Sequence, residues 1–211
     1  MTRGQLILIE GLDRTGKTTQ TEILCKKLQP KVELIKYPKR DTPIGKIINE
    51  YLTNLDYSLP NQSIHLLFSA NRWELMDHII SLLKEGKNVI LDRYVYSGVA
   101  YSAAKETPRM DWQWCLSPDK GLLRPDLTIF LTQDDLTRQS DRNGFGDERY
   151  EISSFQQKVK SQFESLFRNI SDSNEVKLLN VSGKSIEEVE TLVWEQVELL
   201  LKQPNQEFKY F

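Results

Sequence analysis

The sequence predicts an α/β protein: a five-stranded parallel sheet with helices on both faces. Three observations carry that expectation. Short apolar runs alternate with stretches of helical periodicity along the whole chain. The runs are rich in Val, Ile and Leu, the composition of strands covered on both faces. The 211 residues, 39% of them apolar, suffice for a single domain over residues 1–211 with a substantial core.

Taken in order, residues 6–9 (Leu-Ile-Leu-Ile) form the first strand, and residues 17–28 the helix behind a glycine-containing loop. Residues 32–36 supply the second strand, followed by a helix over 44–52. Residues 61–84 keep apolar positions at helical spacing and read as one long helix. The third strand, 89–91, runs into Asp92, and a helix over 98–104 follows. The fourth strand is 127–131. Residues 132–152, rich in Asp, Arg, Gly and Gln, read as a mobile excursion. A helix over 155–170, a fifth strand over 176–180 and a helix over 185–201 complete the set. The glutamates of that last helix suit a solvated face.

A formal net charge of −2 argues against a general binder of nucleic acid or of membrane surfaces. Cys25 and Cys115 read as reduced thiols, which fits a reducing compartment. The opening apolar run is too short for a signal peptide, and no stretch reaches membrane-spanning length. The expected location is cytoplasmic, or cytoplasmic and nuclear.

Residues 11–18 read Gly-Leu-Asp-Arg-Thr-Gly-Lys-Thr, matching G-x-x-x-x-G-K-[ST] directly after the first strand. A strand that ends in this loop and feeds a helix aims backbone N–H groups and a helix N-terminus at one point, a polyphosphate site. Lys17 then reaches the β/γ-phosphates and the Thr18 hydroxyl faces Mg²⁺. Asp13 is anomalous there, because a carboxylate in a phosphate cradle is repelled by the ligand. It makes sense if it points away and accepts hydrogen bonds from something else, such as a sugar hydroxyl of a second substrate. Arg14 then offsets its charge or reaches the transferring phosphoryl group. A solvated Asp13–Arg14 pair on the loop rim is the alternative.

Four further clusters bear on chemistry. Asp92 ends an apolar strand, where phosphate-loop enzymes keep an acid for Mg²⁺, and Arg93 emerges at the same edge; a strand-capping Asp with a surface Arg is the alternative. Phe68 and Arg72 lie four residues apart on one helix face, a ring and a planar donor suited to a nucleobase, or the Phe is simply core. In residues 94–101, Tyr94, Tyr96, Tyr101 and Ser97 offer hydroxyls and a wall for a sugar, or sheet-edge packing. Arg138, Arg142 and Arg149 surround Asn143-Gly144-Phe145-Gly146, either a lid over phosphates or a solvated loop.

Together, residues 11–18 with Asp13-Arg14, Asp92-Arg93-Tyr94, Phe68 with Arg72, and residues 144–151 resemble thymidylate kinase over about residues 6–201. An arginine inside the phosphate loop is similar to the eukaryotic type, and the fungal members most of all. The resemblance implies a fold of the P-loop nucleoside monophosphate kinase type. It also implies transfer of the γ-phosphoryl of ATP to dTMP, with Mg²⁺, on the route to dTTP, in a homodimer.

Residue by residue, it implies that Gly11, Leu12, Asp13, Arg14, Thr15, Gly16, Lys17, Thr18 and Thr19 hold ATP, with Arg142 near adenine, and that Arg14, Lys17 and Arg93 are catalytic. Asp13 contacts the dTMP 3′-hydroxyl, Arg14 stabilises the transferring phosphoryl, and Thr18 and Asp92 serve the metal. Arg40 and Arg93 reach phosphate. Phe68 and Arg72 receive thymine, Ser97, Gly98 and Tyr101 line base and deoxyribose, and Tyr150 faces the acceptor. The family often has Phe-Pro-Glu-Arg where this chain has Tyr37-Pro38-Lys39-Arg40, which removes a possible partner for neighbouring arginines. A regulatory GTPase is disfavoured because no Asn-Lys-x-Asp motif is present. A nucleoside kinase is disfavoured by Arg40 and Arg93, which suit an acceptor already phosphorylated.

Overall fold

The computed structural model describes residues 2–134, 149–150, 152–170 and 175–211. Five parallel strands form the main sheet: β1 (Leu6–Gly11), β2 (Val32–Lys36), β3 (Asn88–Asp92), β5 (Leu127–Thr132) and β6 (Val176–Asn180), in the order β2-β3-β1-β5-β6. β1 lies at the centre, with Ile9 in register with Asp92 on one side and Ile129 on the other. All six of its residues are buried.

Successive β1 side chains leave opposite faces of the sheet, which splits the core in two. Leu6 and Leu8 pack with α4 (Met76–Lys84), α5 (Val95–Ala103) and α7 (Ser153–Ile170). Ile7 and Ile9 pack with Leu24 of α1 (Lys17–Lys27) and with Val189, Val193 and Val197 of α8 (Ile186–Lys202). A third cluster joins α2 (Pro43–Thr53) to α3 (Asn61–Trp73), beyond the strands' carboxyl ends. A sheet wound in both directions from β1 opens its crevice at those ends.

The helix expected over 61–84 is two helices. α3 stops at Trp73 and α4 begins at Met76, with Leu75 between them at φ −108°, ψ 0°. Glu74 at the break accepts hydrogen bonds from the Thr42 hydroxyl (2.7 Å) and the Asn71 amide (2.8 Å). A break this short leaves apolar periodicity nearly in phase, so spacing alone cannot reveal it. Also unanticipated are α6 (Trp112–Leu116), the 3₁₀ turn Ser117–Asp119, and the antiparallel pair β4 (Leu123–Arg124) and β7 (Lys209–Tyr210). Each is too short to carry a periodic signal.

α3 also buries His65 completely. Its Nε2 lies 2.8 Å from the Cys115 carbonyl, which can only accept, so Nε2 carries the proton and Nδ1 accepts from the Ser102 hydroxyl (2.7 Å). Burial, then the Arg72 charge, lower its pKa from 6.5 to about 4. The unfolded chain therefore binds a proton that the folded one refuses. Stability is full above pH 6.5 and falls toward pH 4, by about 2 kcal/mol at pH 5 from this group. Urea midpoints at pH 7.5 and pH 5 should differ less in His65→Gln than in the parent, and an equal difference would remove His65 as the source.

Candidate active site

The loop joining β1 to α1 has the backbone that its glycines permit. Gly11 adopts φ +154°, and a Cβ there would meet the Leu131 carbonyl oxygen at 2.6 Å and Thr15 Oγ1 at 2.8 Å. Gly16 caps α1 at φ +88°, and Arg14 sits at φ 64°, so the chain turns back before the helix starts. No acidic side chain lies in α1's first turn and no side chain caps it, which leaves its leading N–H groups for an anion. Beneath the loop, Lys17 Nζ donates to the Leu12 carbonyl (2.5 Å) and Thr15 Oγ1 donates to the same oxygen (3.0 Å). Burial, then the Arg93 charge, lower the Lys17 pKa to about 8.

Two clefts flank this loop. The first contains Asp13, Arg40, Phe68 and Arg72 from the early part of the chain. Arg93, Ser97, Gly98, Tyr101 and Tyr150 complete its sequence-predicted lining. The second lies between the loop residues Arg14, Thr15, Gly16 and Thr19, the end of β5 at Gln133, and the β6–α8 turn around Gly183. Gly11, Leu12 and Lys17 are buried under the loop. Arg138 and Arg142 lie outside the described residues.

Asp13 points into the first cleft. It pairs with Arg93, and accepts from the Tyr101 hydroxyl (2.9 Å) and from Gln156 Nε2 (2.7 Å). Burial works against its charged form, but Arg93, Lys17 and these two donors outweigh it and lower the pKa. A carboxylate has about four lone-pair positions, so one remains for a further donor.

Arg93 is held from behind as well. One NH group donates to Ser97 Oγ (3.0 Å) and the Gly11 carbonyl (3.2 Å). Ser97 in turn donates to Glu10 (2.5 Å), a fully buried carboxylate on β1. Glu10 also accepts from the Tyr94 and Ser97 backbone N–H groups, both at 2.9 Å. It thereby caps α5, which has no side-chain cap of its own. Burial raises the Glu10 pKa, opposed by Arg93 and these hydrogen bonds.

Arg72 is pinned by Asp119 from the 3₁₀ turn: Nε to Oδ1 at 3.1 Å and NH2 to Oδ2 at 2.6 Å, with Ser69 Oγ donating to the same carboxylate at 2.6 Å. Its guanidinium lies so close to Gly98 that a Cβ there would meet NH1 at 2.6 Å. Only glycine leaves room for the arginine in that position.

Arg40 is exposed, and its NH1 donates to Asn49 (2.9 Å). The loop carrying it is fastened by Asn71, which accepts from the Lys39 N–H (2.8 Å) and donates to the Lys39 carbonyl (3.1 Å). Lys39 thus secures the loop through its backbone, and its side chain only meets Asp41 at the surface. A lysine side chain at this position leaves that fastening intact.

The second edge of the site suits a hard cation. Thr18 Oγ1 donates to Asp92 Oδ2 at 2.8 Å, bringing two oxygen ligands together from separate βα units. Among the described residues no cluster of three or more His, Cys, Asp and Glu could hold a metal alone. Two protein oxygens with the balance left to phosphate and water is the donor set of Mg²⁺.

Sequence reasoning missed Glu10, Asp119 and Gln156. A lone acid in an all-apolar strand was the available signal for Glu10. Asp119 and Gln156 carried none, since their partners lie 47 and 143 residues away.

A family model described as thymidylate kinase matches residues 9–193. The thymidylate kinase of Schizosaccharomyces pombe is 45% identical over 194 residues, covering 90% of each chain. That of Homo sapiens is 43% identical over 170 residues, covering 79% of this chain and 78% of its own. A solved structure of thymidylate kinase from Candida albicans superposes with a TM-score of 0.90 at 49% identity, covering 100% of this chain and 99% of that one. Agreement of this extent in sequence and in backbone places the chain in the thymidylate kinase family.

Proposed function

We propose that the two clefts hold the two nucleotides of the family's reaction, dTMP in the first and ATP in the second. The chain is a phosphotransferase that moves the γ-phosphoryl of ATP to dTMP, giving dTDP and ADP. The observation that carries the assignment of clefts is the division of the loop: Asp13 lines one cleft and its neighbour Arg14 lines the other.

In the acceptor cleft, Phe68 stacks on thymine and Arg72, aligned by Asp119, donates to a base carbonyl. The remaining lone pair of Asp13 accepts from the 3′-hydroxyl. Arg40 and Arg93 meet the acceptor phosphate, while Ser97, Gly98, Tyr101 and Tyr150 enclose base and sugar. In the donor cleft the N–H groups of residues 11–19 and Lys17 cradle the polyphosphate. Thr18 and Asp92 would hold Mg²⁺, which neutralises phosphate charge when bound. A dTMP phosphate oxygen forms the new bond to the γ-phosphorus as the bond to the β,γ-bridging oxygen breaks. No general base is required, because that oxygen is already ionised. Arg14 and Lys17 neutralise charge along the path of transfer.

ADP release with ATP plus dTMP, thymidine or no acceptor tests the reading. Preference for thymidine would make this a nucleoside kinase, and turnover without acceptor would make it a hydrolase.

The finer assignments follow from the same reading. Exposed Ile47, Leu66 and Trp73 on the packed pair α2 and α3 offer apolar surface for the homodimer. The free thiols Cys25 and Cys115 fit a cytoplasmic or nuclear setting. Among the described residues, no helix is long and apolar enough to cross a membrane.

A further inference from the structure

Arg149, grouped by sequence with the arginines of a phosphate-facing lid, lines neither cleft. It is directed to the carboxyl end of α2. Its backbone N–H donates to the Leu52 carbonyl (3.2 Å) and its Nε to the Tyr51 carbonyl (2.9 Å). Its NH2 reaches the carbonyls of Asn54 (3.1 Å), Leu55 (3.2 Å) and Tyr57 (2.7 Å). The guanidinium also stacks 4.3 Å from the centroid of the Tyr51 ring. α2 has no basic residue in its last turn, so this one cation answers carbonyls at the end of the helix and in the residues just beyond it.

The next residue, Tyr150, lines the acceptor cleft. Its ring stacks on Phe155 (5.4 Å between centroids), and its hydroxyl meets that of Tyr51 at 3.4 Å. Its carbonyl accepts from Gln156, the residue that also donates to Asp13. The Lys105 ammonium, buried and without a hydrogen-bond partner among the described residues, lies 5.1 Å from the Tyr150 ring centroid. At its other end α2 is capped by Thr42, in the loop that carries Arg40. One helix therefore braces both the Arg40 loop and, through Arg149, the Tyr150 wall.

We propose that Arg149 is a positioning residue for the acceptor: by clamping the end of α2 it sets Tyr150 against the nucleotide. This rests on the first cleft being the dTMP site. Loss of the clamp weakens acceptor binding and leaves ATP untouched, because among the described residues no Arg149 contact reaches the second cleft.

The test is steady-state kinetics on Arg149→Met, Tyr150→Ala and the double variant, with thermal unfolding of each. Arg149→Met should raise the KM for dTMP about tenfold, the scale of one lost charge-assisted hydrogen bond, with the KM for ATP within about twofold. In the Tyr150→Ala background the same substitution should change the KM for dTMP less than about twofold, because the residue it positions is gone. A purely structural role would add in both backgrounds or shift both KM values, and either result overturns the proposal. Tyr150→Ala without effect on the KM for dTMP would instead overturn the assignment of the cleft. Should Arg149→Met not fold, Arg149→Lys serves. It keeps the charge but not the planar fork, and must give the same non-additive pattern with a smaller rise.

Discussion

Replacing Arg14 with alanine should lower kcat by at least ~10²-fold while the KM values for ATP and dTMP stay within about threefold, as expected for an arginine finger supplied within the chain. The reasoning begins with charge. Phosphoryl transfer asks little covalent chemistry of the protein, so neutralising the equatorial oxygens of the moving group dominates catalysis. A guanidinium acting mainly in the transition state removes rate and spares ground-state binding when lost. Arg14 stands at φ 64° within the loop, its neighbour Asp13 turned to the acceptor side. Lysine at this position should recover little, since it lacks the planar fork. Initial-rate measurements over both substrates decide the matter. A loss in kcat below tenfold would remove Arg14 from the mechanism.

Replacing Asp119 with alanine should destabilise the fold by about 3–5 kcal/mol, the cost of leaving a buried charge without its partner. Arg72 is 3% exposed and Asp119 fully buried, so water cannot take the carboxylate's place. kcat/KM for dTMP should fall as well, because the guanidinium loses the pair of bonds that aims it at the cleft. The double variant Arg72→Met/Asp119→Leu separates the two effects. Without either charge it should recover much of the stability lost in Asp119→Ala, yet remain defective toward dTMP. Urea denaturation alongside kinetics reads both quantities. An Asp119→Ala protein within about 1 kcal/mol of the parent would mean that this pair carries little of the stability assigned to it.

The contrast between Arg14 and Asp119 shows how far residue order reaches. Arg14 was legible because it sits in an eight-residue motif whose geometry is local. Within it, Lys17 and Thr15 both donate to the Leu12 carbonyl, no more than five positions away. Asp92, at the end of an apolar strand, and Phe68 with Arg72, one helical turn apart, were legible for the same reason. The nine residues that family resemblance, and not periodicity, assigned to the acceptor line one cleft. Arg149, read with Arg138 and Arg142 as either a lid over phosphates or a solvated loop, turns to the end of α2, since composition cannot say which way a side chain turns.

Residue order by itself determined the alternation of strands and helices, the parallel sheet, the phosphate loop and the two-substrate character hinted at by Asp13. These follow from steric and periodic rules that operate between near neighbours. Only the tertiary structure decided that Glu10 caps α5, that Asp119 holds Arg72, that Gln156 ties Asp13 to Tyr150, and that Arg149 clamps α2. A buried polar group must find its partner wherever folding brings one, and here, apart from Gln156 and Tyr150, the partners come from 47 to 143 residues along the chain. No local pattern records such a pairing, so it becomes visible only once the sheet has gathered the loops at one edge.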